Sequence, residues 1–467
     1  MSQRQARLDD DLPTGERQSL SAVLEAARAE SRHASPSDLV LVRVEAPPVA
    51  PEALLQRFPD EDAVSWRPPQ GPCFAGLGVA AALGGKNGSR FADVARGQAA
   101  LWGRVRGATS GAWDAPRLFG GFAFAPHGAI SEHWAGFGPA RFVLPRISYA
   151  VWDQRASLAL AIERRELDRP SSAGVDLFRR AYDVLCGAPR PLPGEAVAPA
   201  SRRDGDPKSF EQQVEQLVQR IQRGELQKVV AAREVQLAFA APLDPVATVV
   251  GLSEQAPECL RFLFRFGDAA FLGATPERLL HKRGRQVETE ALAGSIDSRD
   301  ESAERRLQAS AKDLEEHALV VSAITSALEP LCDRLELPPR PGVRSLKHLL
   351  HLCTPIHARL NRDSHVLELL ERLHPTPAVG GVPTRAALEC IAHTESFDRG
   401  WYAGAIGWFD ALGDGDFNVA LRSGLVRSER AWLFAGAGLV RESQAASEYA
   451  ETTWKLTAML SSLRARR

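Results

Sequence analysis

Beyond residue 206 the apolar positions fall into periods that name their own elements. Phe210, Val214, Leu217, Val218 and Ile221 recur at steps of three and four, which sets them on one face of a helix. Asp206 can cap that helix, Pro207 suits its first turn and Gly224 can end it. Lys228–Ala238 (KVVAAREVQLA) reads as a strand, and Leu260–Phe266 (LRFLFRF) alternates strictly. Gly267 and Asp268 then turn the chain into Ala269–Gly273, so a hairpin is expected. Residues 303–329 are expected to be helical and 444–466 to form an amphipathic helix. Residues 403–437 are expected to form three consecutive strands, with turns at Gly413–Gly415 and Ser428–Arg430. Ahead of residue 187, short apolar strands such as Leu118–Phe124 and Ser148–Trp152 mix with glycine-rich turns. Residues 1–35 are polar and expected to be frayed or weakly helical.

Strands that follow one another through short turns make antiparallel sheet. Long helices lie between the strand groups, so the expected class is α/β, with large antiparallel sheets and helices covering their outer faces. Residues 187–206, rich in Pro, Gly and Ala, read as a linker between a sheet-forming part at 36–186 and a second part at 207–467. A chain of 467 residues is too long for a single core of ~250–300, which agrees with a composite structure.

The formal net charge of −1 gives no reason to expect nucleic acid or an anionic membrane as a partner. No apolar run approaches the ~18–20 residues that span a bilayer. The acidic, polar N-terminus lacks the apolar core of a secretory signal, so a cytoplasmic location is expected. Six cysteines (Cys73, Cys186, Cys259, Cys332, Cys353, Cys390) lie far apart without CxxC spacing and read as reduced thiols.

Candidate chemistry lies in carboxylates spaced along two helices. Asp313 and Glu316 are three apart; so are Glu448 and Glu451, with Lys455 four further on. Such spacing shares a helical face. If the two faces met, four acids would offer an oxygen-rich site to a hard cation such as magnesium; taken singly, each is as well explained as a solvated face. Gly436 and Gly438 end an apolar strand (LFAGAGLV), where they could admit an anion close to the backbone or simply make a tight turn. Arg422 falls in an expected strand (FNVALRSG) and wants a carboxylate, from a salt bridge or from a substrate. Lys228 opens an apolar strand and could become a base through desolvation, though such lysines commonly reach out to solvent. Glu277 follows a Gly/Pro turn (LGATPERLL); it could be an acid with a raised pKa or a surface residue.

Taken in order, these segments resemble the chorismate-utilising enzymes, a family of isochorismate, salicylate, anthranilate and aminodeoxychorismate synthases. The matching stretches are KVVAAR (228–233), FLGATPERLL (271–280), ETEALAGS (288–295), KDLEEH (312–317), HLCTP (351–355), LHPTPAVGG (373–381), FDRGWYAGAIGWFD (397–410), FAGAG (434–438) and residues 448–455. They run collinearly over residues ~206–462. The N-terminal ~185 residues match only loosely.

The resemblance implies two antiparallel sheets packed face to face, helices outside, and a cleft built mainly from the C-terminal part. It implies that Glu316 and Glu451 bind magnesium directly, with Asp313 and Glu448 acting through water. Arg422, the backbone at Ala437 and Gly438, and Lys455 would hold the enolpyruvyl carboxylate or its surroundings, while Gly294, Ser295, His351 and Thr354 line the ring pocket. Relatives that use water as nucleophile carry a lysine where Lys228 stands, and those that use a lysine nucleophile carry it where Ala293 stands. Lys228 as base and Glu277 as acid are therefore the implied catalytic pair. The implied reaction is isomerisation of chorismate to isochorismate, with no glutaminase subunit and a monomer or weak homodimer. ETEALAGS resembles isochorismate synthases of menaquinone biosynthesis; Ser295, where many relatives have threonine, departs from the pattern. Salicylate synthase, which goes on to eliminate pyruvate, is the nearest rival, beside an isochorismate synthase of a siderophore pathway; an anthranilate or aminodeoxychorismate synthase subunit is a more distant one.

Overall fold

The computed structural model describes residues 20–107, 113–126, 131–169, 172–187, 196–298, 302–347 and 349–465. Of the expected polar extension, residues 1–19 lie outside the described residues, and Leu20–Glu30 is a helix. Of the expected linker, residues 188–195 lie outside them. The rest is pinned rather than free: Ser201–Arg203 pairs with the end of strand Lys228–Ala238, and Ala196 bridges to Arg464.

Twenty-one strands among the described residues join in one hydrogen-bonded network. The network reads as two antiparallel sheets that share a long pair of strands. In the first, Lys228–Ala238, Arg430–Leu439, Ser423–Arg427, Ala269–Thr275, Leu260–Phe266 and Ala63–Arg67 lead edge to edge to Cys73–Gly85. In the second, Ala140–Trp152 leads through Leu118–Phe122, Ala405–Phe409, Gly415–Val419, Arg278–Arg283 and Gln286–Asp297 to Leu349–Leu360. The shared strands, Cys73–Gly85 and Ala140–Trp152, pair along their whole length, with an irregularity between Val79 and Ala81 beside Pro145. A proline cannot donate to the ladder and belongs at such a bulge, where the sheet bends. Beyond the bend, residues 140–143 pair with Leu118–Phe122; before it, residues 147–152 pair with Arg155–Glu163.

Alternation along each strand assigns its side chains to two cores. In Leu260–Phe266, Phe262, Phe264 and Phe266 enter the inner core between the sheets, while Leu263 enters the outer core beneath helices Pro245–Gln255 and Ala445–Ser462. The alternation is as expected, yet the polar face does not meet water: all seven residues are buried. Arg265 is satisfied by backbone, donating to the carbonyls of Phe58 (2.6 Å) and Glu61 (2.8 Å). Trp401 sits in the inner core among Phe137, Phe264, Phe266 and Phe271 and donates its indole N–H to the Gly138 carbonyl at 3.0 Å.

Helix Pro207–Gln222 is capped by Asp206 and buries its five apolar positions as expected. Two segments differ from the sequence reading. The 303–329 helix is broken into Ala303–Ala309 and Ala311–Leu328, because the Ser310 hydroxyl accepts the Asp313 N–H and starts a new helix. Residues 403–437 carry parts of four strands, not three: the chain leaves the sheet at 420–422, so Arg422 lies between strands with φ 48° rather than within one. No helix of the described residues is long and apolar enough to cross a membrane. All six cysteines are free thiols.

Trp401 fills the centre of the inner core and has no exposed surface. Trp401→Ala is expected to cost about 3–5 kcal/mol, read from the urea midpoint; a loss under ~1 kcal/mol would show that the two sheets do not depend on this contact.

Candidate active site

A cleft opens where the strand starting at Lys228, the strand ending at Leu439, the turn at Glu277 and the two acidic helices converge. Ten of the sequence-derived candidates line it: Glu277, Gly294, Ser295, Glu316, His351, Arg422, Gly436, Gly438, Glu451 and Lys455. Lys228, Asp313 and Glu448 stand immediately behind the wall, in contact with or within Coulombic reach of lining groups. Ala437 is fully buried in its strand. Thr354 is buried away from the cleft wall, its hydroxyl 2.7 Å from His317 Nε2.

Lys228 does not reach solvent. It is fully buried, with Nζ 2.9 Å from Glu316 Oε1. Glycine makes this approach possible: a Cβ on Gly438 would lie 2.1 Å from Glu316 Oε1 and 3.2 Å from Lys228 Cε. Gly438 and Gly436 therefore lie within strand Arg430–Leu439, not in a turn, and Gly438 keeps the wall thin enough for the pair to meet. Gly294, at φ 75°, does the same for Asp313, whose Cβ would be 3.0 Å from an added Cβ.

Glu277 is not a surface residue either, being 4% exposed. Its peptide is fixed to the neighbouring strands, its N–H donating to Thr275 Oγ1 (3.3 Å) and its carbonyl accepting from Val419 N–H (3.1 Å). Burial pushes its carboxyl up to about 8, helped by the charge of Glu290 and opposed by Lys228, Lys455 and Arg344. The group is thus a protonated acid at neutral pH, aimed into a cleft whose other charges it feels.

Arg422 finds no carboxylate among the described residues. It donates to His351 Nε2 at 3.1 Å, which leaves His351 Nδ1 beside the Gly294 carbonyl (3.2 Å) and the Ser295 hydroxyl (2.9 Å). Burial, then the Arg422 charge, holds His351 well below its ordinary range, so the ring is neutral. Arg422 accordingly faces the cleft as a cation with unspent donors.

The two acidic helices do meet. Lys312 on one reaches Glu448 on the other at 2.7 Å. Two of the other three acids also have a lysine, Glu316 with Lys228 and Glu451 with Lys455 (2.6 Å). Among the described residues no three acidic, histidine or cysteine side chains stand at metal-ligand spacing. The donor chemistry nevertheless suits a hard cation. The donors are all oxygens, and both Asp313 and Glu448 are raised, by burial first and further by neighbouring carboxylates. That is the mark of negative charge gathered in excess of its compensation.

Sequence reasoning did not find Arg399 and Tyr402, which also line the cleft. Arg399 is anchored by Glu395 (2.8 Å) and donates to the carbonyls of Val379 and Val230 at 2.9 Å. The only signal was their place within FDRGWYAG, and alternation could not show that this connection turns back beneath the cleft.

If Glu277 is buried as an acid, its isosteric amide removes a penalty that depends on pH. The unfolded carboxyl ionises near the ordinary 4.5 and the folded one near about 8. Stability is thus lost progressively as pH rises between those values. Glu277→Gln should be more stable than the parent by a margin that widens through that window, by up to about 1.4 kcal/mol per pH unit. Equal urea midpoint differences at pH 5 and pH 8 would contradict this burial.

Comparison with known proteins follows the same lines. Residues 22–464 match the family described as chorismate binding enzyme. The chain is 38% identical over 441 residues to the salicylate biosynthesis isochorismate synthase of Pseudomonas aeruginosa, covering 91% of this chain and 90% of that protein. It is 34% identical over 363 residues to the isochorismate synthase MenF of Bacillus subtilis, covering 74% of each. The solved structure of MenF, the menaquinone-specific isochorismate synthase of Escherichia coli, superposes with a TM-score of 0.75 at 27% identity, covering 95% of this chain and all of that one.

Proposed function

The chain belongs to the chorismate binding enzymes, and from that premise we propose that it converts chorismate to isochorismate, with Lys228 as base and Glu277 as acid. The observation that carries the reading is Glu277: a carboxyl buried in the cleft wall, protonated up to about pH 8, close enough to Lys228 and Lys455 to feel both charges.

In the reaction a water adds at C2 of the ring and the hydroxyl at C4 leaves as water, so the formula is unchanged. Lys228, in its neutral amine form, takes the proton of the incoming water. Glu277 gives its proton to the departing hydroxyl, and the ring double bonds shift between the two positions. A proton placed at each centre is worth typically ~10²–10⁴ in rate. Arg422, oriented by neutral His351 and without a carboxylate of its own, receives a substrate carboxylate, with Lys455 beside it. Ala293 lines the cleft where a lysine nucleophile would otherwise stand, which leaves water as the attacking group and requires no glutaminase subunit.

Magnesium, held by Glu316 and Glu451 with Asp313 and Glu448 behind them, would supply positive charge that anchors the ring carboxylate and draws electron density toward it. For those residues to share an ion, Glu316 and Glu451 must turn from their lysine partners.

We assign the product to menaquinone biosynthesis on the ETEALAGS segment. The second reading, a route to salicylate, is favoured by the Pseudomonas aeruginosa relative, whose name places it there and whose similarity spans 90% of its length.

Incubation of the purified protein with chorismate and magnesium, followed by chromatography, should yield isochorismate without pyruvate. Salicylate with pyruvate would replace this reading by the lyase, and a need for ammonia would replace it by an amidating enzyme. Lys228→Ala and Glu277→Gln should each lose about 10²-fold or more in kcat with an unchanged circular dichroism spectrum. Because the acid must be protonated, kcat should fall as pH rises through about 8; activity that stays level to pH 10 would exclude Glu277 as donor.

A further inference from the structure

Glu277 lies in a turn between two strands, and a turn by itself leaves a side chain free to swing. The residues on either side of it are held by one ion pair. Arg344, in strand Gly342–Ser345, meets Glu290, in strand Gln286–Asp297, through both carboxylate oxygens, with Arg344 Nη2 to Glu290 Oε2 at 2.7 Å. Glu290 Oε1 also accepts the N–H of Arg278 at 3.1 Å. Arg344 Nη1 donates to the carbonyl of Pro276 at 3.3 Å. The pair therefore holds the peptide immediately before Glu277 and the one immediately after it, from a single rigid fork.

We propose that Glu290 and Arg344 form the positioning pair for Glu277, gripping the chain on both of its sides so that the carboxyl points into the cleft. Neither touches substrate in this role, and neither lines the cleft. The proposal rests on the reading of Glu277 as proton donor given above.

The pair acts by charge as well as by geometry. The groups that face Glu277 are Lys228 and Lys455 from across the cleft, Glu290 and Arg344 from its own side, and the Cys353 thiol on strand Leu349–Leu360. Glu290 favours the protonated acid and Arg344 disfavours it, so a neutral replacement of either unbalances the other. A purely structural pair would alter stability and leave the titration of the reaction in place.

Two variants separate the contributions. Glu290→Gln keeps an oxygen for the Arg278 N–H but removes the negative charge, leaving Arg344 uncompensated. The alkaline limb of its kcat profile should move to lower pH by about half a unit or more. Arg344→Lys keeps the charge but loses the fork and its hold on Pro276. Its kcat should drop about tenfold with KM for chorismate and the limb unchanged. Profiles and kcat equal to the parent in the folded variants would overturn the proposal; should one variant fail to fold, the other alone decides. Glu277→Gln measured alongside distinguishes the two levels. If it retains turnover, the donor reading fails. If it is inactive while the limb of Glu290→Gln and the kcat of Arg344→Lys match the parent, only the positioning pair fails.

Discussion

Exclusion of water from ionisable groups is the constraint on which this structure turns. In bulk water Glu277 would be an anion near neutral pH and Lys228 would be hydrated. Here both are enclosed by strands whose inner and outer faces are covered, and each feels charges that solvent would otherwise screen. Enclosure of that kind needs thin walls as well as full ones. Gly438 and Gly294 supply the thinness, the bent pair of shared strands lets the second sheet close over the first, and the aromatic cluster around Trp401 fills the space between them.

Charge within the cleft is arranged by alternation. Glu316, Glu448 and Glu451 each meet one lysine, which offsets part of the repulsion among the four acids; neighbouring carboxylates still raise Asp313 and Glu448. This arrangement holds four acids close together in a buried place at tolerable cost. It also means that the same acids are poised to exchange partners, since an ammonium and a hard metal ion satisfy a carboxylate by the same electrostatics.

Much of this was legible in the chain. The Pro207–Gln222 helix, its cap and its buried face follow from 3.6-residue spacing, and the Leu260 hairpin from alternation and a Gly-Asp turn, because both signals are local. What failed was also local in origin. Ser310 restarts a helix by capping it, and the break at 420–422 carries no glycine or proline, so a left-handed Arg422 gave no warning. For the cleft, residue types and spacing offered the acids, both lysines and Glu277 as candidates, each with an ordinary surface or packing reading beside it, and the resemblance to the chorismate-utilising enzymes joined them into one site. They could not show that the Thr354 hydroxyl is taken up by His317, or that Arg399 and Tyr402 come round beneath the floor. Those facts depend on how strands far apart in the chain are laid side by side, which no local period encodes.

The long shared strands carry a consequence for the chain's two halves. Strand Ala63–Arg67 covers the border of Leu260–Phe266, and Leu118–Phe122 covers that of Ala405–Phe409. The C-terminal half alone would therefore end in two raw margins of unpaired N–H and C=O groups, one on each sheet, the first carrying leucine and phenylalanine and the second isoleucine, tryptophan and phenylalanine. Such margins invite pairing with other chains. The N-terminal half, which contributes none of the groups assigned to the chemistry, thus serves as the selvedge that stops the catalytic fabric from unravelling into its neighbours.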